Sequence, residues 1–190
     1  PQYLTHKVLY IKKTGKVLAF KSLDYIPNFC LFLQELWNII QTMSDILRLE
    51  FLEKLKTYKD KHIIKVITGI RRCGKSTLMK MFRNYLIESG ISAEQIIFLN
   101  FEDFDNYELL NPKSLYEYLK PKIQKEQMTY IFFDEIQNVT DFQRVVDSLF
   151  LNEKIDIYIT GSNAYLLSGE LATLLSGRYI TIEMLPLSFK

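Results

Sequence analysis

The stretch GIRRCGKST at residues 69–77 constrains this chain more than any other feature, because it fills every fixed position of the phosphate-loop pattern GxxxxGK[ST]. Gly69 and Gly74 let a loop curl until successive backbone N–H groups, from Arg72 and Cys73 through Gly74, Lys75 and Ser76 to Thr77, point inward at a polyphosphate. At Cys73 only the backbone is needed. Lys75 then sets a mobile ammonium against the β- and γ-phosphates, and the Ser76 hydroxyl takes one position on a magnesium ion. Such a loop has to open a helix, whose first N–H groups and positive dipole end face the anion. The context agrees. HIIKVIT (62–68) is a β-branched run suited to a buried strand, and STLMKMFRNYLIES (76–89) carries apolar residues at helical spacing. The competing reading, a turn that fits the pattern by accident, does not account for strand, loop and helix in that order. The stretch predicts binding of a nucleoside triphosphate.

The rhythm of the chain changes near His62. Before it, HKVLYIKKTGKVLAFK (6–21) alternates on both sides of Thr14 and Gly15 and predicts a β-hairpin. Residues 28–58 read as largely helical, with Asp45 as a polar start and Ile46, Leu49, Leu52 and Leu55 as an apolar stripe. The apolar run at 26–40 is broken by Gln34 and Glu35 and is too short to span a bilayer, so it predicts a packed helix and no membrane partner. After His62, short apolar strands alternate with amphipathic helices: strands over 95–101, 129–135, 154–160 and 178–185, and helices from 111 (interrupted by Pro121), over 141–152 and over 163–176. That alternation predicts an α/β fold, a parallel sheet covered on both faces. The expected division is an N-terminal extension at 1–46 and a nucleotide-binding core at 47–190.

Charge narrows the partners little. Lys and Arg number 24 against 22 Asp and Glu, and this near balance supports neither nucleic acid nor an acidic partner. The two cysteines, Cys30 and Cys73, are far apart in sequence and fit a reduced, cytoplasmic setting. His6 and His62 have no Cys, His or acid at metal-ligand spacing, so structural or surface roles are expected. The segment NFEDFDNYE (100–108) follows a strand at a position where a partner contact is plausible, but nothing in it names the partner.

A second chemical signal lies in TYIFFDE, which sets Asp134 and Glu135 at the carboxyl end of an apolar strand, the edge where open parallel sheets bind ligands. Asp134 is expected to hold the magnesium with Ser76, and Glu135 to polarise the water that attacks the γ-phosphate. Two acids fit two jobs. Taken alone, the pair also fits a solvated turn or a helix cap. A third signal, ITGSNA (159–164), sets Thr160, Ser162 and Asn163 beside the same edge, either to orient water and touch the γ-phosphate or to cap the next helix. Arg178, at the end of a predicted helix, is a candidate for offering a guanidinium to phosphate charge or a plain surface arginine.

With these residues in place, positions 47–189 resemble the core of the AAA+ superfamily of P-loop ATPases. More narrowly they resemble a prokaryotic predicted-ATPase family that pairs this core with a C-terminal domain of unknown function. The resemblance rests on IKVITGIRRCGKSTL, NFED, IFFDEIQNV, ITGSNA and LSGRYITIEMLPLSF. It implies a three-layer α/β/α sandwich with strand order 5-1-4-3-2, ATP as the nucleotide, and Mg2+ as the cation. It also implies Ser162, with Asn163 as second choice, as a γ-phosphate sensor, and Arg178 as an arginine finger acting in a neighbouring subunit of a homo-oligomer. The family pattern continues past PLSF into a lid and a further domain through which an unknown protein partner would be engaged. The chain therefore reads as a fragment for which nucleotide binding with weak turnover is expected. Residues 1–42 read as an extension outside the family core, with Met43 opening the usual approach to the first strand.

Three uses of the nucleotide remain open at this point: a hydrolysing motor or remodelling core, a nucleotide-gated switch with slow turnover, and a small-molecule kinase. Glu135 speaks against the kinase, which has to exclude water rather than activate it.

Overall fold

The computed structural model describes residues 9–13, 16–20, 49–162 and 175–184. The predicted helical stretches at 28–48 and 163–174, and Asn163 with them, lie outside those residues. The chain divides into two compact units, Pro1–Ser44 and Asp45–Lys190.

In the first unit, β1 (Leu9–Lys13) and β2 (Lys16–Phe20) pair antiparallel, with Leu9 facing Phe20 and Lys13 facing Lys16. This is the expected hairpin.

The second unit begins, among the described residues, with helix α1 (49–58). Strands β3 (Ile64–Gly69), β4 (Ile96–Asn100), β5 (Thr129–Asp134), β6 (Ile155–Gly161) and β7 (Tyr179–Met184) follow, interleaved with helices α2 (Lys75–Glu88), α3 (Pro112–Leu119) and α4 (Phe142–Phe150). The five strands form one sheet in the order β4-β5-β6-β3-β7, every neighbouring pair parallel. Numbered within the core alone and read from the β7 edge, that is 5-1-4-3-2, as the resemblance implied.

Burial explains which runs became which strands. The central strands β3, β5 and β6 are buried along their whole length, which is why they read as largely apolar runs, the only charged residues before their carboxyl ends being Lys65 in β3 and Asp156 in β6. The edge strand β4 alternates between buried and half-buried. Successive side chains point to opposite faces. Ile64 and Val66, Ile131 and Phe133, and Ile157 and Ile159 meet Leu115, Leu119, Val146 and Leu149 of α3 and α4 on one face. On the other, Ile67, Phe132 and Tyr158 meet Leu52 and Leu55 of α1 and Leu78, Phe82 and Leu86 of α2. Phe132 and Tyr158 stack at 4.8 Å between centroids in that second core.

Local chemistry sets several boundaries. Asn111 caps α3, its Oδ1 accepting from the N–H groups of Lys113 and Ser114, with Pro112 at the first turn. The helix stops at Leu119, and Pro121 falls in a short 3-10 turn at Lys120–Lys122. Strand β3 runs through Gly69, one residue beyond the predicted strand, because Met184 of β7 pairs with it. The segment after β4 is a 3-10 helix, Phe104–Leu110, whose Phe104 and Tyr107 rings stack at 5.4 Å on the surface. No helix among the described residues is long and apolar enough to cross a membrane.

Candidate active site

The loop from Gly69, the last residue of β3, to Gly74 joins the carboxyl end of that strand to the amino end of α2. Three of its residues require unusual backbone. A Cβ on Gly69 would fall 2.4 Å from the Met184 carbonyl oxygen and 2.7 Å from Cys73 Sγ, so only glycine fits between strand and loop. Arg72 (φ 67°) and Gly74 (φ 98°) take positive φ and turn the loop back over the helix end. Cys73 N–H donates to the Ile70 carbonyl at 3.3 Å, and Leu78 N–H to the Gly74 carbonyl at 3.0 Å. No side chain caps α2. Its first N–H groups are left to face whatever anion enters the loop.

Lys75 folds back into this loop. It is buried, and its Nζ lies 3.2 Å from the Gly69 carbonyl, 3.3 Å from the Ile70 carbonyl and 3.4 Å from Glu135 Oε1. Ser76, the next residue, donates its hydroxyl to Asp134 Oδ1 at 3.1 Å. The parallel register brings β5 and β6 to the same edge, where Thr160 adds a second hydroxyl to Asp134 Oδ1 at 2.6 Å. The same Thr160 oxygen accepts from the Glu135 N–H at 2.9 Å, so one side chain fixes both acids. Sequence reasoning set Thr160 at this edge but did not give it that task, which depends on how β5 and β6 pair.

Glu135 leaves the sheet in a left-handed conformation (φ 54°, ψ 50°), which a residue other than glycine holds only when its surroundings impose it. A 3-10 turn, Ile136–Asn138, follows. Ile136 is buried in the core, and Gln137 Nε2 donates to Glu135 Oε2 at 2.6 Å. Sequence reasoning missed Gln137. The string DEIQ carried a signal, an amide two residues after the acid, with no pattern to flag it.

Ser162 follows β6 and is half-buried at this edge. Thr68, one residue before the loop, has a buried hydroxyl with no hydrogen-bond partner among the described residues. Arg71, on the outer side of the loop, makes an exposed ion pair with Glu102 at 3.2 Å.

Arg178 stands elsewhere. Its carbonyl accepts from Ile64 N–H at 2.8 Å, at the start of β3, while the phosphate loop begins at the other end of that strand, roughly 16 Å away at the usual rise per residue. Its guanidinium pairs with Asp147 of α4 and lies over the Phe150 ring. Nearby, His62 stacks on the same ring at 4.0 Å.

The amino end of the sheet also holds a buried polar cluster. Lys65 Nζ of β3 pairs with Asp156 Oδ1 of β6 at 2.5 Å, both side chains almost fully enclosed. Asp156 Oδ2 accepts from Tyr158 OH at 2.8 Å and from Asp60 N–H at 2.9 Å. Asp60 Oδ1 accepts from Tyr130 OH at 2.6 Å. Burial pushes the Asp156 carboxyl up and the Lys65 ammonium down, each opposed by attraction to the other. Burial, then the Asp60 carboxylate, pushes the Tyr130 hydroxyl up to about 12.

The residues at the carboxyl edge suit a hard cation. A hydroxyl and a carboxylate meet at Ser76 and Asp134, and no group of three or more Cys, His, Asp or Glu capable of holding a metal occurs among the described residues. Sparse oxygen donors are what Mg2+ takes when substrate phosphates and water complete its shell.

Known proteins resemble this chain in sequence and in fold. A family model described as an AAA domain matches residues 61–190. An uncharacterized protein of Haemophilus influenzae is 47% identical over 146 residues, 76% of this chain and 36% of that protein. An uncharacterized protein of Methanocaldococcus jannaschii is 39% identical over 129 residues, 67% of this chain and 27% of that protein. The chain thus spans about a third of the length of these relatives. Among solved structures, Drosophila ORC bound to DNA superposes with a TM-score of 0.52 at 10% identity, covering 80% of this chain and 97% of that one. A second, Drosophila ORC bound to GC-rich DNA and Cdc6, gives 0.53 at 14% identity, covering 82% and 62%. At such identities the likeness is one of fold. With the strand order, the phosphate loop and the family match in agreement, the chain belongs to the AAA domain family, within the AAA+ superfamily of P-loop ATPases.

Proposed function

We propose that this protein binds ATP with Mg2+ and hydrolyses it, driving an attached domain or protein partner. One observation carries the reading: Lys75, Ser76, Asp134 and Glu135 converge on the end of an uncapped helix, with Ser76 bonded to Asp134 and Lys75 paired with Glu135. In this reading the loop amides and Lys75 bind the β- and γ-phosphates. Ser76 and Asp134 hold the Mg2+, which supplies charge to offset the phosphate oxygens. Glu135 takes the proton of a water whose oxygen attacks the γ-phosphorus, while the bond to the bridging oxygen breaks and ADP leaves with its electrons. Ser162, with Asn163 as second choice, senses the γ-phosphate. Arg178 serves a neighbouring copy, which its distance from its own phosphate loop supports. A cytoplasmic setting, homo-oligomerisation and a partner engaged through a C-terminal domain belong to the same proposal.

A nucleotide-gated switch is the second reading. It draws on Glu135 being held through both carboxylate oxygens, an arrangement that has to be partly undone before water is activated. Steady-state turnover of the full-length protein, with Mg2+ or with EDTA, separates the two. A rate of about one per second or more, lost in Glu135→Gln, supports hydrolysis as the working activity; slow turnover with retained nucleotide supports the switch. No ATP binding in Mg2+, or binding indifferent to Lys75→Ala, overturns both.

A further inference from the structure

We propose that Gln137 is the positioning residue for the general base: it holds Glu135 Oε2, so that Oε1 is the oxygen that takes the proton from water. This rests on the reading of Glu135 as that base.

The two oxygens of Glu135 have different partners. Oε1 faces Lys75 Nζ at 3.4 Å, on the side of the phosphate loop. Oε2 accepts from Gln137 Nε2 at 2.6 Å, short for an amide donor even to a carboxylate. The amide has one useful orientation. A carboxylate only accepts, so Nε2 has to face it, and Gln137 Oε1 is then left buried without a partner among the described residues. Leaving a buried acceptor unpaired is costly. The amide is therefore arranged around Glu135 and nothing else within reach.

The bond also belongs to a rigid piece of the molecule. Ile136, between the two residues, is fully buried. Asn138 N–H donates to the Glu135 carbonyl at 3.2 Å, and Val139 N–H to the Ile136 carbonyl at 2.9 Å, closing the turn. Thr160 pins the Glu135 N–H from the sheet side. None of these contacts has to change when phosphate enters, whereas Lys75 is the partner that phosphate draws away. Once Lys75 turns to phosphate, Oε1 is freed toward the site and Oε2 stays held. A carboxylate held by its far oxygen is restrained from rotating out of line with the attacking water, and small misplacements of a reacting group cost about a hundredfold in rate.

The test is a double-mutant cycle in the full-length protein, read by single-turnover hydrolysis of labelled ATP with Mg2+ and by nucleotide titration. Gln137→Ala should lower the rate by about 10- to 100-fold while leaving the ATP dissociation constant within about threefold. Gln137→Met, of similar length and without a donor, should behave the same and replaces the alanine variant should that fail to fold. In a Glu135→Gln background either change should cost less than about twofold, because the group it positions is gone. A wild-type rate in Gln137→Met, a faster rate, or an equal loss in both backgrounds overturns the inference while leaving the base reading in place. A wild-type rate in Glu135→Gln itself overturns the base reading, and this inference with it.

Discussion

Lys75 Nζ stands 3.4 Å from Glu135 Oε1, both side chains largely shielded from water. The ammonium that would grip phosphate and the carboxylate that would draw a proton from water are thus each other's partners in this structure. A phosphate held by Lys75 would compete with that pairing.

Glu135→Gln is accordingly expected to bind ATP at least as tightly as the parent, and up to several-fold tighter, because Lys75 no longer leaves a charge behind. Lys75→Ala should weaken binding by about 10- to 100-fold, the range for loss of a hydrogen bond to a charged group. Titration with a fluorescent ATP analogue in Mg2+ reads both; weaker binding in Glu135→Gln would contradict the pairing.

Thr160 and Thr68 present the same side chain in opposite circumstances. The Thr160 hydroxyl serves Asp134 and the Glu135 N–H, so Thr160→Val should cost about 1–3 kcal/mol in urea unfolding. The Thr68 hydroxyl is buried with no partner among the described residues, and Thr68→Val should be neutral or stabilising. Equal costs at the two positions would refute the contrast.

The Lys65–Asp156 pair gives a third expectation. Asp156→Leu alone strands the Lys65 ammonium and the donors of Tyr158 and Asp60, and is expected to cost about 3–5 kcal/mol. Adding Lys65→Met should recover part of that loss by removing the stranded charge. Denaturant midpoints of the two single changes and the double measure it; a double variant as unstable as the sum of the singles would show that the pair is not coupled.

Tyr130 supplies a pH dependence. Its hydroxyl is raised from 10.0 to about 12, so the folded chain keeps a proton that the unfolded chain releases. Stability from this group is complete below pH 10 and falls as pH rises toward 12, where folded Tyr130 also ionises. Tyr158, raised in the same direction by burial and Asp156, adds to the slope. Melting temperatures between pH 9 and about 11.5 should fall less steeply for Tyr130→Phe than for the parent.

Much of the sheet was legible because β3, β5 and β6 are buried on both faces and leave short, largely apolar runs. The phosphate loop was legible because its backbone demands glycine at fixed places, Gly69 above all. What escaped depends on pairing across the sheet. That Thr160 would reach both Asp134 and the Glu135 amide follows only once β6 lies beside β5. Lys65 and Asp156 sit 91 positions apart, each a single charge in its strand, and only the pairing of β3 with β6 brings them together. The 3-10 helix at Phe104–Leu110 has no helical period to betray it, since its aromatic residues lie on the surface. Gln137 was hidden by brevity: one amide in a turn of three residues.

The packing of Gly69 against the Met184 carbonyl carries a mechanical meaning. The chain leaves its last described strand touching the root of the phosphate loop, with no room for even a methyl group between them. A tug on that end of β7 would be felt at the loop through a single backbone contact. Conversely, a shift of the loop at Gly69 would require the Met184 carbonyl to shift with it.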